Sequence, residues 1–473
     1  MSAIVSAAKV VHANAMPAEA PRVPVAIVGA GACGLTAAIL LRDAGVDCLL
    51  LERDAAPSGS TALSSGFIPA AGTRVQAGRG IADTPAQFAA DIQAKAHNTA
   101  AANLVVAYVN AVGPAMDRLA SHGLAFSVLN DFLYPGHSTY RMHTLPERTG
   151  AALVAALADA AARTGADLLG NARVTELWVN GLGRMLGVGY VRPDGVLEHV
   201  ACDVLILACN GFGGNAQMVA QFLPEMRDAI FAGHTGNDGS AIQWGRALQC
   251  RLADLGGYQG HGSWAVPQGA LITWALIMEG GVQINALGQR FHDETQGYSE
   301  ASVKVLAQSG GVAWNVFDAP LLALARGFPD FCAAEAAGAV KTCADVTALA
   351  TVLGCPLPAL VQTLNTVQPS ATATDGRKFK RALQAPWFVV KVSGALFHTQ
   401  GGLDIDARCC VLHEDGQPFP NLLAGGGAAR GVSGNAVWGY LSGNGLLSAV
   451  AGGAIAAATA SQLVQSTSEL RKI

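Results

Sequence analysis

An apolar run, Val25-Ala-Ile-Val, leads directly into Gly29-Ala-Gly31-Ala-Cys-Gly34-Leu, and a second apolar run, Cys48-Leu-Leu-Leu, ends in Glu52-Arg53. A strand, three spaced glycines, a helix and a second strand closed by an acid leave this segment few ways to fold. Gly29 permits a tight turn, Gly31 lets backbone N–H groups approach a pyrophosphate at the positive end of the helix, and Gly34 allows the helix to pack closely on the strand. Glu52 stands where a carboxylate accepts from ribose hydroxyls. A glycine-rich turn that binds nothing is the alternative, and it leaves the acid in register unexplained. The segment predicts a dinucleotide site.

The residues beyond Glu52 favour FAD over NAD. After Arg53 the chain reads Asp-Ala-Ala-Pro-Ser-Gly59-Ser60-Thr61-Ala-Leu-Ser64-Ser65-Gly66. These small residues can lie along an extended cofactor, offering hydroxyls to phosphate and N–H groups to an isoalloxazine; taken alone they would read as a polar loop. Much later come Phe419-Pro-Asn-Leu-Leu-Ala-Gly425-Gly-Gly and Gly434-Asn435-Ala, then Gly439-Tyr-Leu-Ser-Gly-Asn-Gly445-Leu446, a strand and glycine turns entering an Ala-rich helix. A helix N-terminus suits the pyrimidine edge of a flavin, which is negative when reduced. The expected cofactor-binding set is Gly29, Gly31, Gly34, Glu52, Arg53, Ser60, Thr61, Ser65, Gly66, Val174, Gly211, Asp238, Gly425, Asn435, Gly445 and Leu446.

Length gives roughly two or three domains at about 150 residues each. The net charge of −4 offers no attraction for nucleic acid or an anionic membrane. A 51% hydrophobic fraction with 56 glycines supports large buried cores. Ten scattered cysteines show no CxxC or metal-type spacing, so reduced thiols in a cytoplasmic protein and no metal site are expected. Residues 1–20 lack the apolar core of a signal peptide and are expected to be a loosely ordered tail. The uncharged run from Gly443 to Ala460 nears membrane-spanning length but is rich in Gly and Ala, which favours a buried helix beneath the cofactor and no stable membrane insertion.

Leu153 to Ala162 has helical character, and Val200 to Gly214 reads as a buried strand ending in a glycine turn. Between roughly Gly262 and Gln384 the glycine fingerprints vanish, as in an inserted cap. The expected fold is α/β: a Rossmann-like FAD-binding domain, residues 21–261 and 385–473, with an inserted α+β capping domain, residues 262–384.

In combination, the N-terminal fingerprint, Gly233-His-Thr-Gly236-Asn-Asp238-Gly, Gly280-Gly-Val-Gln-Ile-Asn285 through Arg290-Phe-His-Asp-Glu294, and His398-Thr-Gln-Gly401-Gly-Leu make the chain similar to the FAD-dependent fumarate reductase and ketosteroid dehydrogenase superfamily, from Val25 to about Ala458. The resemblance implies a substrate held against the flavin under a mobile cap. It also implies proton transfer at one carbon and hydride transfer between the next carbon and flavin N5.

Departures from each branch sharpen the expectation. Fumarate reductases place a proton-delivering arginine four residues past the glutamate, where this chain has Tyr298; Trp274 and Ile277 fall where their carboxylate–arginine relay is expected. Ketosteroid dehydrogenases resemble this chain at Tyr298, with a tyrosine as acid/base, and carry a further tyrosine in a loop similar to Tyr134 to Tyr140. Tyr298, Tyr134 and Tyr140 are therefore the candidate catalytic residues. His261 and His398 match substrate-binding histidines of the fumarate reductase branch, Arg430 lies within one residue of its carboxylate clamp, and Arg141 lies in a donor-rich loop; these four are the candidate substrate contacts. Each has a bland alternative: a packed tyrosine, a satisfied core histidine, a surface ion pair. Many relatives carry an acid where this chain has Gly426-Gly427. No histidine lies near Ser60 to Gly66, so non-covalent FAD is expected.

The resulting expectation is an FAD-dependent oxidoreductase acting on CH–CH groups, a dehydrogenase or desaturase that makes a C=C bond beside a carbonyl on a small cyclic ketone or keto acid. Fumarate reductase-like reduction of an unsaturated carboxylate and ketosteroid dehydrogenation stay open as alternatives. The expected partners are a small-molecule substrate and an external electron acceptor.

Overall fold

The computed structural model describes residues 8–130, 132–369 and 375–470. The chain divides into two compact units, one of Met1–Phe222, Gly233–Tyr258 and His398–Ile473, the other of Leu223–Ala232 and Gln259–Phe397.

The first unit is built on a nine-stranded sheet. Its path runs Lys9–His12, Arg173–Val179, Met185–Val191, Leu197–Leu207, Arg22–Val28, Cys48–Leu51, Asp167–Leu169. Val25-Ala-Ile-Val is buried throughout, as a central parallel strand covered on both faces must be. The long Leu197–Leu207 strand changes partner along its length. Its first half pairs antiparallel with Met185–Val191, and its last residues pair parallel with Leu422 to Ala424 of Pro418–Ala424. The returning C-terminal segment thus enters the sheet beside the first glycine turn, and the carboxyl ends of five parallel strands open on one edge. Ligands of open α/β sheets bind at such an edge.

Helix Asn444–Leu470 packs along Ala32–Asp43 and Ala102–Ser121. Among the described residues it is the single unbroken helix long and apolar enough to cross a membrane, and 61% of its apolar window is buried inside the protein. That suits a core helix. All ten cysteines are unpaired.

The second unit holds a seven-stranded sheet ordered Ala270–Leu271, Tyr258–Ala265, Trp387–Thr399, Val312–Asp318, Val282–Ile284, with Ile230–Phe231 and Lys341–Cys343 also on Trp387–Thr399. Its limits differ from the expected 262–384 because the boundaries fall inside the continuous strands Tyr258–Ala265 and Trp387–Thr399, where a glycine-based reading has no mark to find. The N-terminus also corrects the expectation. Residues 1–7 of the expected tail lie outside the described residues, but Lys9–His12 is an edge strand, pairing in parallel with Glu176 to Val179.

Candidate active site

Gly29 has φ +102°, and a Cβ there would lie 2.6 Å from the Ala208 carbonyl oxygen. A Cβ on Gly34 would lie 2.0 Å from the Gly29 carbonyl oxygen. Both glycines are therefore demanded by the turn and by helix–strand contact. Gly31 differs: a Cβ on it would meet nothing nearer than Thr61 Oγ1 at 3.4 Å, so its small size leaves free space. Gly31 also caps helix Ala32–Asp43 without a side-chain bond, although Thr61 Oγ1 accepts from Ala32 N at 3.0 Å. Glu52 is buried, with Oε2 accepting from Ala30 N at 2.8 Å and Oε1 from Asp54 N at 3.0 Å. The acid fixes the glycine turn and keeps lone pairs for a second acceptor role.

Gly29, Gly31 and Glu52 line an open cleft with Arg53, Ser60, Thr61, Val174 and Asp238. Ser60 Oγ accepts from Asn210 Nδ2 at 2.8 Å and Asn237 Nδ2 at 3.0 Å. Arg53 lies 3.6 Å from Asp238, which also meets Arg173 at 3.4 Å. Glycine amides, a helix start and a carboxylate on the second strand form a donor and acceptor set for an adenosine diphosphate. Farther along, the first turns of Asn444–Leu470 contain two buried polar atoms lacking a protein partner, Asn444 Oδ1 and Ser448 Oγ. An isoalloxazine offers both N–H and C=O groups, so the residues present fit FAD.

Other members of the expected set also have close neighbours within the protein. A Cβ on Gly211 would meet Thr399 Oγ1 at 2.0 Å, one on Gly66 the Thr149 carbonyl oxygen at 2.7 Å, and one on Gly425 Cys33 Sγ at 2.8 Å. Asn435 Oδ1 accepts from Gly256 N at 2.7 Å. Leu446 packs on the main core, Gly445 lies against His398, and Ser65 is half-buried beside Gly66.

In the second unit, His261, Tyr298, Trp274 and Phe397 form one aromatic cluster. The His261 ring is stacked between Tyr298, with centroids 4.8 Å apart and planes 18° from parallel, and Phe397, at 5.6 Å and 14°. Trp274 meets it edge-on at 5.7 Å. Burial pushes the His261 pKa down to about 3. Its Nδ1 accepts from Ser263 N at 3.1 Å, which places the proton of the neutral ring on Nε2. Ile277, at the other expected relay position, has an apolar side chain, and its carbonyl accepts from Arg377.

In the first unit, His398 is half-buried beside Tyr440, with centroids 5.6 Å apart, and burial pushes its pKa to about 4. Arg430 Nε donates to Asp254 at 2.6 Å, and Nη1 lies 3.4 Å from Asp404, so two carboxylates already balance its charge. Tyr134 packs on Phe132 and Phe67, and Tyr140 is exposed. Arg141 is the clear correction. It is fully buried, forked onto Asp83 at 2.9 and 3.0 Å and bonded to Asp91, with its guanidinium over the Phe88 ring. No donor fork is left over for a substrate.

Residues 24–446 match the FAD binding domain family. The chain belongs to that family. It is 27% identical to the NADH:fumarate oxidoreductase of Klebsiella pneumoniae (strain 342) over 420 residues, covering 87% of this chain and 45% of that protein. The open conformation of a flavocytochrome c3 fumarate reductase superposes with TM-score 0.79 at 25% identity, covering 94% of this chain and 79% of that one. The 3-ketosteroid-delta4-(5alpha)-dehydrogenase of Rhodococcus jostii RHA1 gives TM-score 0.75 at 23% identity, covering 95% and 99%, a likeness of fold. This family member is thus an FAD flavoprotein whose fold is that of fumarate reductases and ketosteroid dehydrogenases.

The expected cofactor-binding set omits Arg173, Cys209, Asn210, His234, Gly236 and Asn237, which also line the cleft, although the motif from Gly233 to Gly239 carries the last three. Asn210, at φ +67° directly after a buried strand, carried a local signal, since a non-glycine turn residue in this conformation is often Asn.

Proposed function

We propose that this chain is an FAD-dependent dehydrogenase that forms a C=C bond beside a neutral carbonyl, on a small cyclic ketone, with Tyr298 as the proton acceptor. The observation that carries this reading is the stack of His261 on Tyr298 against Trp274, a face of planar rings. Neutral His261 offers Nε2–H, a donor matched to a ketone oxygen, where an imidazolium would suit a carboxylate. Polarising the ketone acidifies the adjacent C–H, whose proton passes to the Tyr298 oxygen as phenolate, the phenol having first released its own proton to solvent. Bound FAD would supply the two-electron acceptor for the hydride from the next carbon. The electrons then leave to an external acceptor.

The test is an anaerobic panel of saturated cyclic ketones, keto acids and steroids, read as loss of visible flavin absorbance. A cyclic ketone should bleach the flavin and Tyr298→Phe should slow that bleaching by about 10²- to 10⁴-fold, the range for a positioned acid/base. Unchanged bleaching in the variant would sink the assignment.

A second reading, reduction of an unsaturated carboxylate, draws support from the name and 27% identity of the Klebsiella pneumoniae relative. It requires a cationic clamp, and Arg430 is already paired to Asp254 and Asp404. Reoxidation of photoreduced enzyme by fumarate, lost in Arg430→Ala, would favour it.

A further inference from the structure

Arg377 lies far in sequence from the glycine turns and from the aromatic cluster, yet its buried guanidinium joins two segments that carry the aromatic face. Nη2 donates to the carbonyls of Ile277, at 2.6 Å, and Gly281, at 3.0 Å. Nη1 donates to Glu294 Oε2 at 2.7 Å. Ile277 belongs to the single-turn helix Ala275–Met278, whose N-cap is Trp274. Glu294 opens the short turn Glu294–Gln296, and Gly297 then leads into Tyr298, the first residue of helix Tyr298–Leu306. One planar fork therefore spans the backbone behind Trp274 and the carboxylate just before Tyr298.

Glu294 is the other half of this clamp. It is fully buried and accepts from Arg377, from Arg290 and, through Oε1 at 3.0 Å, from Gln283 N. Burial alone would raise its pKa, but the charge of Arg377 and the Arg290 contacts bring it down to about 2. The Phe379 ring lies under both guanidinium groups, 4.6 Å from Arg377 and 5.0 Å from Arg290. A lysine at 377 would keep the charge but lose the fixed fork that reaches three acceptors at once.

We infer that Arg377, through Glu294, is a positioning residue that sets Tyr298 and Trp274 against His261 for the proton transfer. This rests on the proposed role of Tyr298. The effect is one of geometry: a displacement of about 1 Å at a reacting group can cost about 10²-fold in rate.

The test uses flavin-loaded Arg377→Lys, Tyr298→Phe and the double variant, with rates normalised to bound flavin. Arg377→Lys should lower kcat by roughly 10- to 100-fold with KM changed little. Its near-UV circular dichroism should lose the same band that Trp274→Phe removes. If Arg377 acts through Tyr298, the double variant should be no slower than Tyr298→Phe alone. Multiplied losses in the double variant, or an unaltered aromatic band, would overturn the inference. A Tyr298→Phe enzyme with full activity would instead remove the reading it rests on, while the aromatic band would still report whether Arg377 holds the cluster. Should Arg377→Lys fail to fold, Phe379→Leu removes the supporting ring and keeps every charge; it should reduce kcat and the aromatic band in the same sense, and unaltered values would count against the clamp.

Discussion

The imidazole of His261 lies flat against the phenol ring of Tyr298, 4.8 Å between centroids, and burial holds it neutral with a pKa of about 3. A ring that stays uncharged from pH 5 to pH 8 donates the same Nε2–H bond throughout. Binding of an unreactive cyclic enone to the oxidised enzyme, followed by perturbation of the flavin spectrum, should therefore change less than about threefold over that range. A tenfold change centred near the usual histidine value of about 6.5 would show a titrating imidazole, and with it a charge-dependent substrate site.

Two glycines of one motif should respond in opposite ways. Gly34→Ala forces a Cβ to 2.0 Å from the Gly29 carbonyl oxygen, so the apoprotein itself should lose stability, by about 1–3 kcal/mol as for other overpacked sites. Gly31→Ala meets only Thr61 Oγ1 at 3.4 Å, and Gly31 has an ordinary φ of −77°. Its apoprotein should melt within a degree or two of the parent while FAD affinity falls sharply. Thermal unfolding with and without FAD separates the two, and equal loss of apoprotein stability in both would contradict the assignment of Gly31 to the cofactor.

The contrast between these glycines also marks what a sequence can carry. Gly29, Gly31 and Glu52 act within one strand–helix–strand segment, so spacing alone conveys their roles. The opposite wall of the cleft, Asn210 and Asn237, arrives through sheet topology, where distant strand ends meet. Arg141 reads as a substrate contact because its loop is dense in donors, whereas the partners that occupy it, Asp83 and Asp91, lie in and just before helix Pro85–Lys95. The edge strand Lys9–His12 is short and half polar, and it is made by pairing with Arg173–Val179. Tyr298 and His261 are legible as candidates through family likeness, but their stacking, and the clamp at Arg377, depend on tertiary placement.

His137 connects that buried Arg141 cluster to the chain ahead of helix Asn444–Leu470. Its Nδ1 accepts from Arg141 Nη1 at 3.2 Å and its Nε2–H donates to the Ser442 carbonyl at 2.9 Å. Burial first, then the Arg141 charge, push its pKa down to about 4, against the opposing pull of Asp91 and Asp83. The folded value lies below the unfolded value of about 6.5, so the unfolded chain binds more protons between them. The resulting stability is fully present above pH 6.5 and is lost as pH falls through about 4. Chemical denaturation between pH 6.5 and 4 should show a slope of up to about 1.4 kcal/mol per pH unit from this group. His137→Gln should remove that increment from the slope, and an unchanged slope would place the titration elsewhere.

The source or destination of the electrons gives the last prediction. The segment Gly211-Phe-Gly213-Gly214 comes after the Leu197–Leu207 strand, but Gly211 is small in order to pack, since a Cβ there would lie 2.0 Å from Thr399 Oγ1. The expected dinucleotide site is the turn at Gly29 to Gly34 alone. The alignment with the NADH:fumarate oxidoreductase of Klebsiella pneumoniae covers 45% of that protein, and its nicotinamide chemistry is not carried to this chain by the match. Mixed anaerobically without substrate, NADH and NADPH should leave the flavin oxidised over seconds, whereas an artificial dye acceptor should sustain turnover on a saturated cyclic ketone. Rapid flavin reduction by either nicotinamide would refute the external-acceptor reading and require a hydride donor to reach the flavin directly.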